Sequence, residues 1–148
     1  MIILIYSLPF ILYLCSGIFS TVLVINLSYS GESAFFISLL AVFYGMGMMV
    51  CAGIFSKLKI SKKFYPKLLY IEACMQAIIS FLCIFFMNWQ IALLYSFFYG
   101  ANVTIFFVCF QSLLDSISKD LPIRISVGLF IFSWTFGLAI GPIISGLI

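Results

Sequence analysis

Two polar side chains stand together in the middle of the sequence, inside a run that is otherwise largely apolar. Glu72 and Gln76 are four residues apart and therefore lie on the same face of a helix. A carboxylate in such a run is a candidate for carrying a proton, because burying its charge is unfavourable unless it is paired or solvated. Glu72 follows Lys67 by about one turn, so we expect it to reach the aqueous edge of the run or a lysine and to act as an anchor. Proton carriage is the alternative.

A second group of polar residues lies near the centre of the following apolar run. Polar groups surrounded by apolar sequence must find partners inside the protein, so we expect this run to form the wall of a cavity. The candidate cavity-lining residues here are Ser96, Tyr99 and Asn102, accompanied by Gly100 and Thr104.

The first apolar run also has one face that is poorly suited to lipid. Small or polar residues recur there at helical spacing, and apolar residues fill the opposite side. The polar face consists of Pro9, Tyr13, Ser16, Gly17, Ser20 and Thr21, and the apolar side of Ile11, Leu12, Ile18, Phe19, Val22 and Leu23. We expect the polar face to look inward. Close helix packing is the favoured interpretation, and contact of Tyr13, Ser16 and Ser20 with a small-molecule substrate is the alternative.

No set of residues typical of an enzyme or a metal site is present in the sequence. The chain has no histidine, and its four carboxylates are spread over the edges of the apolar runs. Its five cysteines show no C-x-x-C spacing and read as small apolar packing residues. We therefore expect no catalytic residues, no cofactor, no metal and no nucleic-acid partner.

The composition assigns the chain to a membrane. Of its residues 66% are hydrophobic and 7% charged, whereas a soluble globular domain carries about 25% charged residues. Because the runs are continuously apolar rather than alternating, helices are expected instead of a barrel. Runs of about 20 residues are long enough to cross a bilayer. The sequence gives an all-α bundle of about five transmembrane helices in a single membrane domain, at residues 2–27, 34–56, 67–87, 90–114 and 125–148.

The positive charges predict the orientation of the chain in a cell membrane. All seven basic residues lie in two connections, one between spans two and three and one between spans four and five. The first contains Lys57, Lys59, Lys62, Lys63 and Lys67, and the second contains Lys119 and Arg124. Because short loops rich in lysine and arginine stay in the cytoplasm, the N-terminus is expected inside and the C-terminus outside.

Two spans carry stripes of small residues. In span two the stripe consists of Ser38, Ala41, Gly45, Ala52 and Ser56, with Gly47 and Gly53 nearby. In span five, Ser133, Gly137, Gly141 and Ser145 recur every four residues and form a groove in which another helix can approach closely. The partner is expected to be another span, a second copy or a separate half of a larger assembly. Pro142 lies inside the same helix and removes one backbone hydrogen bond.

The span-five sequence Gly137-x-x-x-Gly141-Pro142-x-x-Ser145-Gly146 resembles the G-x-x-x-G-P-x-x-G-G pattern on the fifth transmembrane helix of major facilitator superfamily transporters. Ser145 replaces one glycine. The basic loop after span two is similar to the family's cytoplasmic G-x-L-x-D-R-x-G-R-R loop, without its acid and with Lys62 and Lys63 in the place of the terminal basic pair. Arg124 also resembles a loop residue of the family. The arginine that proton-coupled antiporters carry in span four is replaced by Ser96.

The resemblance implies the amino-terminal half of a carrier that binds a small solute between two bundles and alternates access by rocking. Family members have about twelve spans, so this chain is expected to be a fragment or truncated member, or to assemble with a second copy or a separate carboxy-terminal half. The competing interpretation is a small accessory or structural membrane protein without transport activity.

Overall fold

The structure, a computed structural model, describes residues 2–58, 60–85, 88–117 and 122–147. Throughout these residues it is helical, without strands, which confirms the predicted all-α class. The five long helices are α1 (Ile2–Tyr29), α2 (Ala34–Lys57), α3 (Tyr65–Phe85), α4 (Trp89–Ile117) and α5 (Ile123–Ser145), with a short 3-10 turn at Lys62–Phe64. Their bounds lie within three residues of the predicted runs, except that Met87 and Ile148 fall outside the described residues.

Local sequence signals place the helix boundaries. Gly31 takes the left-handed φ of 79° that ends the turn after α1. Ser33 caps α2, its side chain accepting a hydrogen bond from the Phe36 amide at 3.5 Å. Asn88 does the same for α4, where its Oδ1 accepts from the Ile91 amide at 2.9 Å. Pro122 immediately precedes α5, a position at which its missing amide hydrogen costs nothing.

Four of the helices are long and apolar enough to cross a membrane, and the chain is therefore a multi-pass membrane protein. The four stretches are Tyr6–Tyr29, Ala34–Lys57, Trp89–Leu114 and Ile123–Ser145. At 1.5 Å per residue, the shortest of them spans about 35 Å, enough for a hydrocarbon core of about 30 Å. α3 is not among the four, so its crossing of the membrane stays a prediction.

The helices fall into two compact units, and unit 1 comprises Met1–Asn26 and Leu114–Ile148. It contains most of α1 together with α5. Phe10 stacks on Phe136, and Ser145 near the end of α5 donates to the Ile18 carbonyl. Contacts thus advance along both helices together, so α1 and α5 run parallel. α5 continues through Pro142 to Ser145, as its sequence predicted.

Unit 2 comprises Leu27–Leu113 and contains α2, α3 and most of α4. α2 and α4 are parallel, since contacts advance from the Phe36–Trp89 ring pair to the Tyr44–Tyr99 ring pair. α3 runs antiparallel to α4. The ends of α2 and α4 that lead into the basic connections therefore lie on the same side of unit 2, as successive membrane crossings require.

The small-residue stripe of α2 does not pack against another helix, and one residue of α1 departs from its predicted side. The five-residue stripe of α2 is exposed, and a Cβ added at Gly45 or Gly53 would meet nothing within 4 Å. The residue that packs is Gly47, because the stripe and Gly47 lie on different sides of the helix. On α1, Leu23 was placed on the side opposite the polar face but is buried, only 3% exposed.

Candidate functional site

A hydrogen-bonded network of polar side chains joins α3 and α4 inside unit 2. The Gln76 side chain donates from Nε2 to the Tyr95 hydroxyl at 3.3 Å and accepts at Oε1 from Asn102 Nδ2 at 3.4 Å. Tyr95 and Asn102 are buried, at 4% and 3% exposure, whereas Gln76 is partly exposed. The two α4 residues are seven positions apart, about two turns, so one glutamine bridges the helix face between them.

An aromatic ladder continues the network toward α2. The rings of Tyr95 and Tyr99 stack at 5.8 Å with an interplanar angle of 10°, and the ring of Tyr99 meets that of Tyr44 at 5.5 Å. Tyr95 and Tyr99 are four residues apart on α4, which places them on one face. The combination of amides, a phenol and aromatic faces is suited to noncovalent recognition of a small polar or aromatic molecule.

The hydroxyl groups near this network serve the helices themselves. Ser96 Oγ donates to the Ala92 carbonyl at 3.0 Å, and Thr104 Oγ1 donates to the Gly100 carbonyl at 3.1 Å. Thr104 also reaches the Met48 carbonyl of α2 at 3.5 Å. These bonds satisfy the buried hydroxyl groups. Of the three cavity-lining residues predicted on α4, Asn102 belongs to the network, Tyr99 belongs to the aromatic ladder, and Ser96 bonds to the backbone of its own helix.

The expected position of Glu72 is wrong. Its side chain is only 2% exposed, and its Oε2 atom has no hydrogen-bond partner within the described part of the chain. It lies close enough to Cys109 of α4 for the two to interact electrostatically. The sequence argument placed Glu72 by its distance along α3 from Lys67, but burial is decided by the helix that covers this face.

Two glycines let α2 and α4 approach to backbone contact. A Cβ added at Gly47 would overlap the Phe97 carbonyl and lie 3.1 Å from the Ala101 nitrogen. A Cβ added at Gly100 would overlap the Tyr44 carbonyl and lie 3.2 Å from the Met48 nitrogen. Each helix therefore has a glycine that lies against a backbone carbonyl of the other helix. This crossing sets the position of Tyr44 beside Tyr99.

Beyond the crossing, α2 and α4 leave an open groove of about 460 Å³. Its lining is mostly apolar. The residues are Gly45, Met48, Met49, Ala52, Thr104, Phe107, Val108 and Gln111. Gly45 and Ala52 of the exposed α2 stripe thus line a groove and do not pack against another helix.

In unit 1 the predicted groove of α5 is filled by α1. A Cβ added at Gly141 would lie 2.7 Å from the Gly17 Cα, and one added at Gly137 would overlap the Phe10 carbonyl. Ser145 Oγ donates to the Ile18 carbonyl at 3.4 Å. Of the three partners considered from the sequence, the structure contains the first, another span of this chain. Gly146 ends α5 and is exposed.

The predicted cavity residues of α1 take part in packing within unit 1. Tyr13 is 3% exposed and its ring lies 5.6 Å from that of Trp134. Ser16 is buried, and Ser20 Oγ donates to the Gly17 carbonyl at 3.1 Å. These contacts agree with the packing interpretation of this face.

Of the basic residues predicted for the cytoplasmic loops, those that the structure describes are exposed. Lys57 ends α2, Lys63 lies in the 3-10 turn, and Arg124 lies in the first turn of α5. Lys59 and the side chain of Lys62 lie outside the described residues.

Comparison of the chain with family models, with curated proteins and with solved structures found no match. The polar network is therefore interpreted from its own residues and contacts.

Three residues of the network and of the aromatic ladder were missed as site residues by sequence reasoning. Gln76 was noticed only as a neighbour of Glu72, and Tyr44 and Tyr95 were not singled out. A usable signal exists for Tyr95, which is four residues before Tyr99 and seven before Asn102 and so shares their helix face. Nothing in the spacing of α2 distinguishes Tyr44 from its other aromatic residues.

Proposed function

We propose that the chain forms one bundle of a membrane carrier of the major facilitator type, which moves a small solute by alternating access. The observation that carries the proposal is the network of Gln76, Tyr95 and Asn102 in the middle of two largely apolar helices. Polar groups in such helices are unfavourable, and where they occur they commonly mark a substrate path. The span-five and basic-loop motifs support the family type.

Within each unit, the helix crossing suits a pair of helices that move together. Both parallel pairs meet through glycines, so their backbones are in contact and leave little room for independent sliding. In a carrier of the proposed type the solute lies between two bundles, and this chain supplies one wall. A further part of the same protein, a second copy or a separate half would supply the second bundle.

A second candidate is a small accessory or structural membrane protein. The observation in its favour is that the three residues bond to one another, since Asn102 donates to Gln76 and Gln76 donates to Tyr95. Such a network can hold α3 against α4 without any ligand. The two candidates differ in whether Tyr99 contacts a solute.

Binding of an aromatic cation separates the candidates. The purified full chain in mild detergent is titrated with ethidium, whose fluorescence polarisation rises on binding, because a cation can lie against the Tyr99 face. Tyr99→Leu is expected to weaken binding about tenfold, equivalent to about 1.4 kcal/mol. The matched control is Phe98→Leu, since Phe98 is 41% exposed on another face of α4.

Saturable binding that Tyr99→Leu weakens and Phe98→Leu leaves unchanged supports the carrier. Absence of saturable binding, or an equal effect of both changes, contradicts a solute site on this ladder and favours the accessory protein.

A further inference from the structure

The most exceptional polar group among the described residues is the Glu72 carboxyl. It is almost completely buried, at 2% exposure, and its Oε2 atom has no hydrogen-bond partner within the described residues. Glu72 lies one turn before Gln76 on the same face of α3, which the Gln76 contacts show to be turned toward α4. The carboxyl therefore lies at the α3–α4 contact and not at the aqueous edge.

Among the described residues, the groups around the carboxyl offer no compensating positive charge. On α3, Lys67 is five positions earlier and its Nζ lies 5.8 Å from the centre of the Phe64 ring. On α4, the titratable group that interacts with it is Cys109, which is fully buried. Tyr95, whose hydroxyl accepts from Gln76, lies about four turns before Cys109 on the same helix. On α2, Cys51 lies within electrostatic reach of Cys109.

A proton fits this site better than a metal ion does. Sodium, magnesium and calcium require several oxygen ligands around one point. The described residues contain no cluster of three or more potential metal-binding side chains, and the Gln76 oxygen already accepts from Asn102. A single open carboxylate oxygen is sufficient to hold a proton, and adding a proton removes the charge whose burial is unfavourable.

We propose that Glu72 is a proton-binding site of this bundle. The carboxyl holds a proton while α3 and α4 are packed together, and it releases the proton when water reaches Oε2. Binding forms one O–H bond on the carboxylate, breaks one O–H bond of a hydronium ion and leaves a water molecule; release reverses the step. The site requires only unit 2, so it holds for a carrier and for an accessory protein alike.

Carbodiimide labelling of the full chain in liposomes tests the proposal. A hydrophobic carbodiimide, dicyclohexylcarbodiimide, reacts with protonated carboxyls within a membrane, and mass spectrometry locates the adduct. We expect an adduct on Glu72 that falls about tenfold for each pH unit above its titration midpoint. Glu72→Gln should abolish it, and Glu32→Gln, in the connection between α1 and α2, should leave it unchanged.

A water-soluble carbodiimide provides the opposing control. It should label Glu32, which lies in a connection, and should not label Glu72. Equal labelling of Glu72 and Glu32 by this reagent would overturn the proposal, because it would place Glu72 in contact with water.

Infrared spectroscopy of the folded chain covers the case in which no reagent reaches the site. A protonated carboxyl has a carbonyl stretch distinct from that of a carboxylate. The parent-minus-Glu72→Gln difference spectrum should contain this band and lose it as the pH rises. If circular dichroism shows both proteins folded and the band is absent at every pH, Glu72 does not bind the proton and the proposal fails.

Discussion

Among the individual residues, glycines allow the backbones of two helices to come into contact, but only on the helix faces that another helix covers. Gly47 and Gly100 each face a carbonyl of the opposite helix in the α2–α4 crossing, whereas Gly45, two residues before Gly47, faces open space. Within one turn of α2, one glycine is therefore needed for close helix packing and another is not.

This difference predicts the effect of adding a single methyl group. Gly47→Ala should destabilise unit 2 by about 1 to 3 kcal/mol, because the new Cβ overlaps the Phe97 carbonyl and the helices must move apart. Gly45→Ala, the matched control, should change stability little, or raise it slightly through better helix propensity. Unfolding of both variants in mixed micelles, followed by circular dichroism, measures the difference. Equal stability of the two would contradict the α2–α4 crossing.

Residue spacing in the sequence could predict which helix faces carry small and polar residues, but not which of those faces another helix covers. The stripe of α2 repeats regularly and yet is exposed, because the packing face is set by where α4 lies. Glu72 shows the same limit: its distance along the chain from Lys67 suggested an interfacial position, and its burial by α4 could not be read from α3 alone.

At the level of helices, the two parallel pairs differ in how far the sequence predicts them. The small residues of α5 do form a packing groove, as their four-residue spacing predicted, and α1 occupies it. Helix existence and bounds were predictable because each run is long, apolar and flanked by Gly31, Ser33, Asn88 or Pro122. The pairing of α2 with α4 was not, since no single spacing pattern specifies a partner.

The α1–α5 contact predicts a specific effect of a large side chain. Gly141→Leu should separate the helices, because the space at Gly141 is already occupied by the Gly17 backbone, and overpacking of this kind costs about 1 to 3 kcal/mol. Leu138→Ile, on an exposed face of α5, should be nearly silent. The measurement is the rate of disulfide formation between Ile18→Cys and Ser145→Cys, in a chain whose native cysteines are replaced by alanine.

Slower crosslinking in Gly141→Leu and an unchanged rate in Leu138→Ile would support the observed packing. Crosslinking between differently tagged copies, with none within a chain, would instead assign the groove to a second copy.

For the whole molecule, we expect a chain that crosses the membrane five times with its basic connections in the cytoplasm. Four crossings have helices of sufficient length and hydropathy. The fifth, α3, is inferred from its apolar sequence and from its antiparallel packing on α4. If α3 lay on the membrane surface, the two ends of α3 would be on the same side.

Cysteine accessibility at three connections tests both the five crossings and the orientation of the chain. Single cysteines are placed at Ser30, Ser61 and Asn88 in a chain without its native cysteines and are labelled in intact cells with a membrane-impermeant maleimide. We expect Ser30→Cys and Asn88→Cys to react from outside, whereas Ser61→Cys should react only after the membrane is opened. Reaction of Ser61→Cys from outside would contradict the orientation, and protection of Asn88→Cys until the membrane is opened would contradict the crossing of α3.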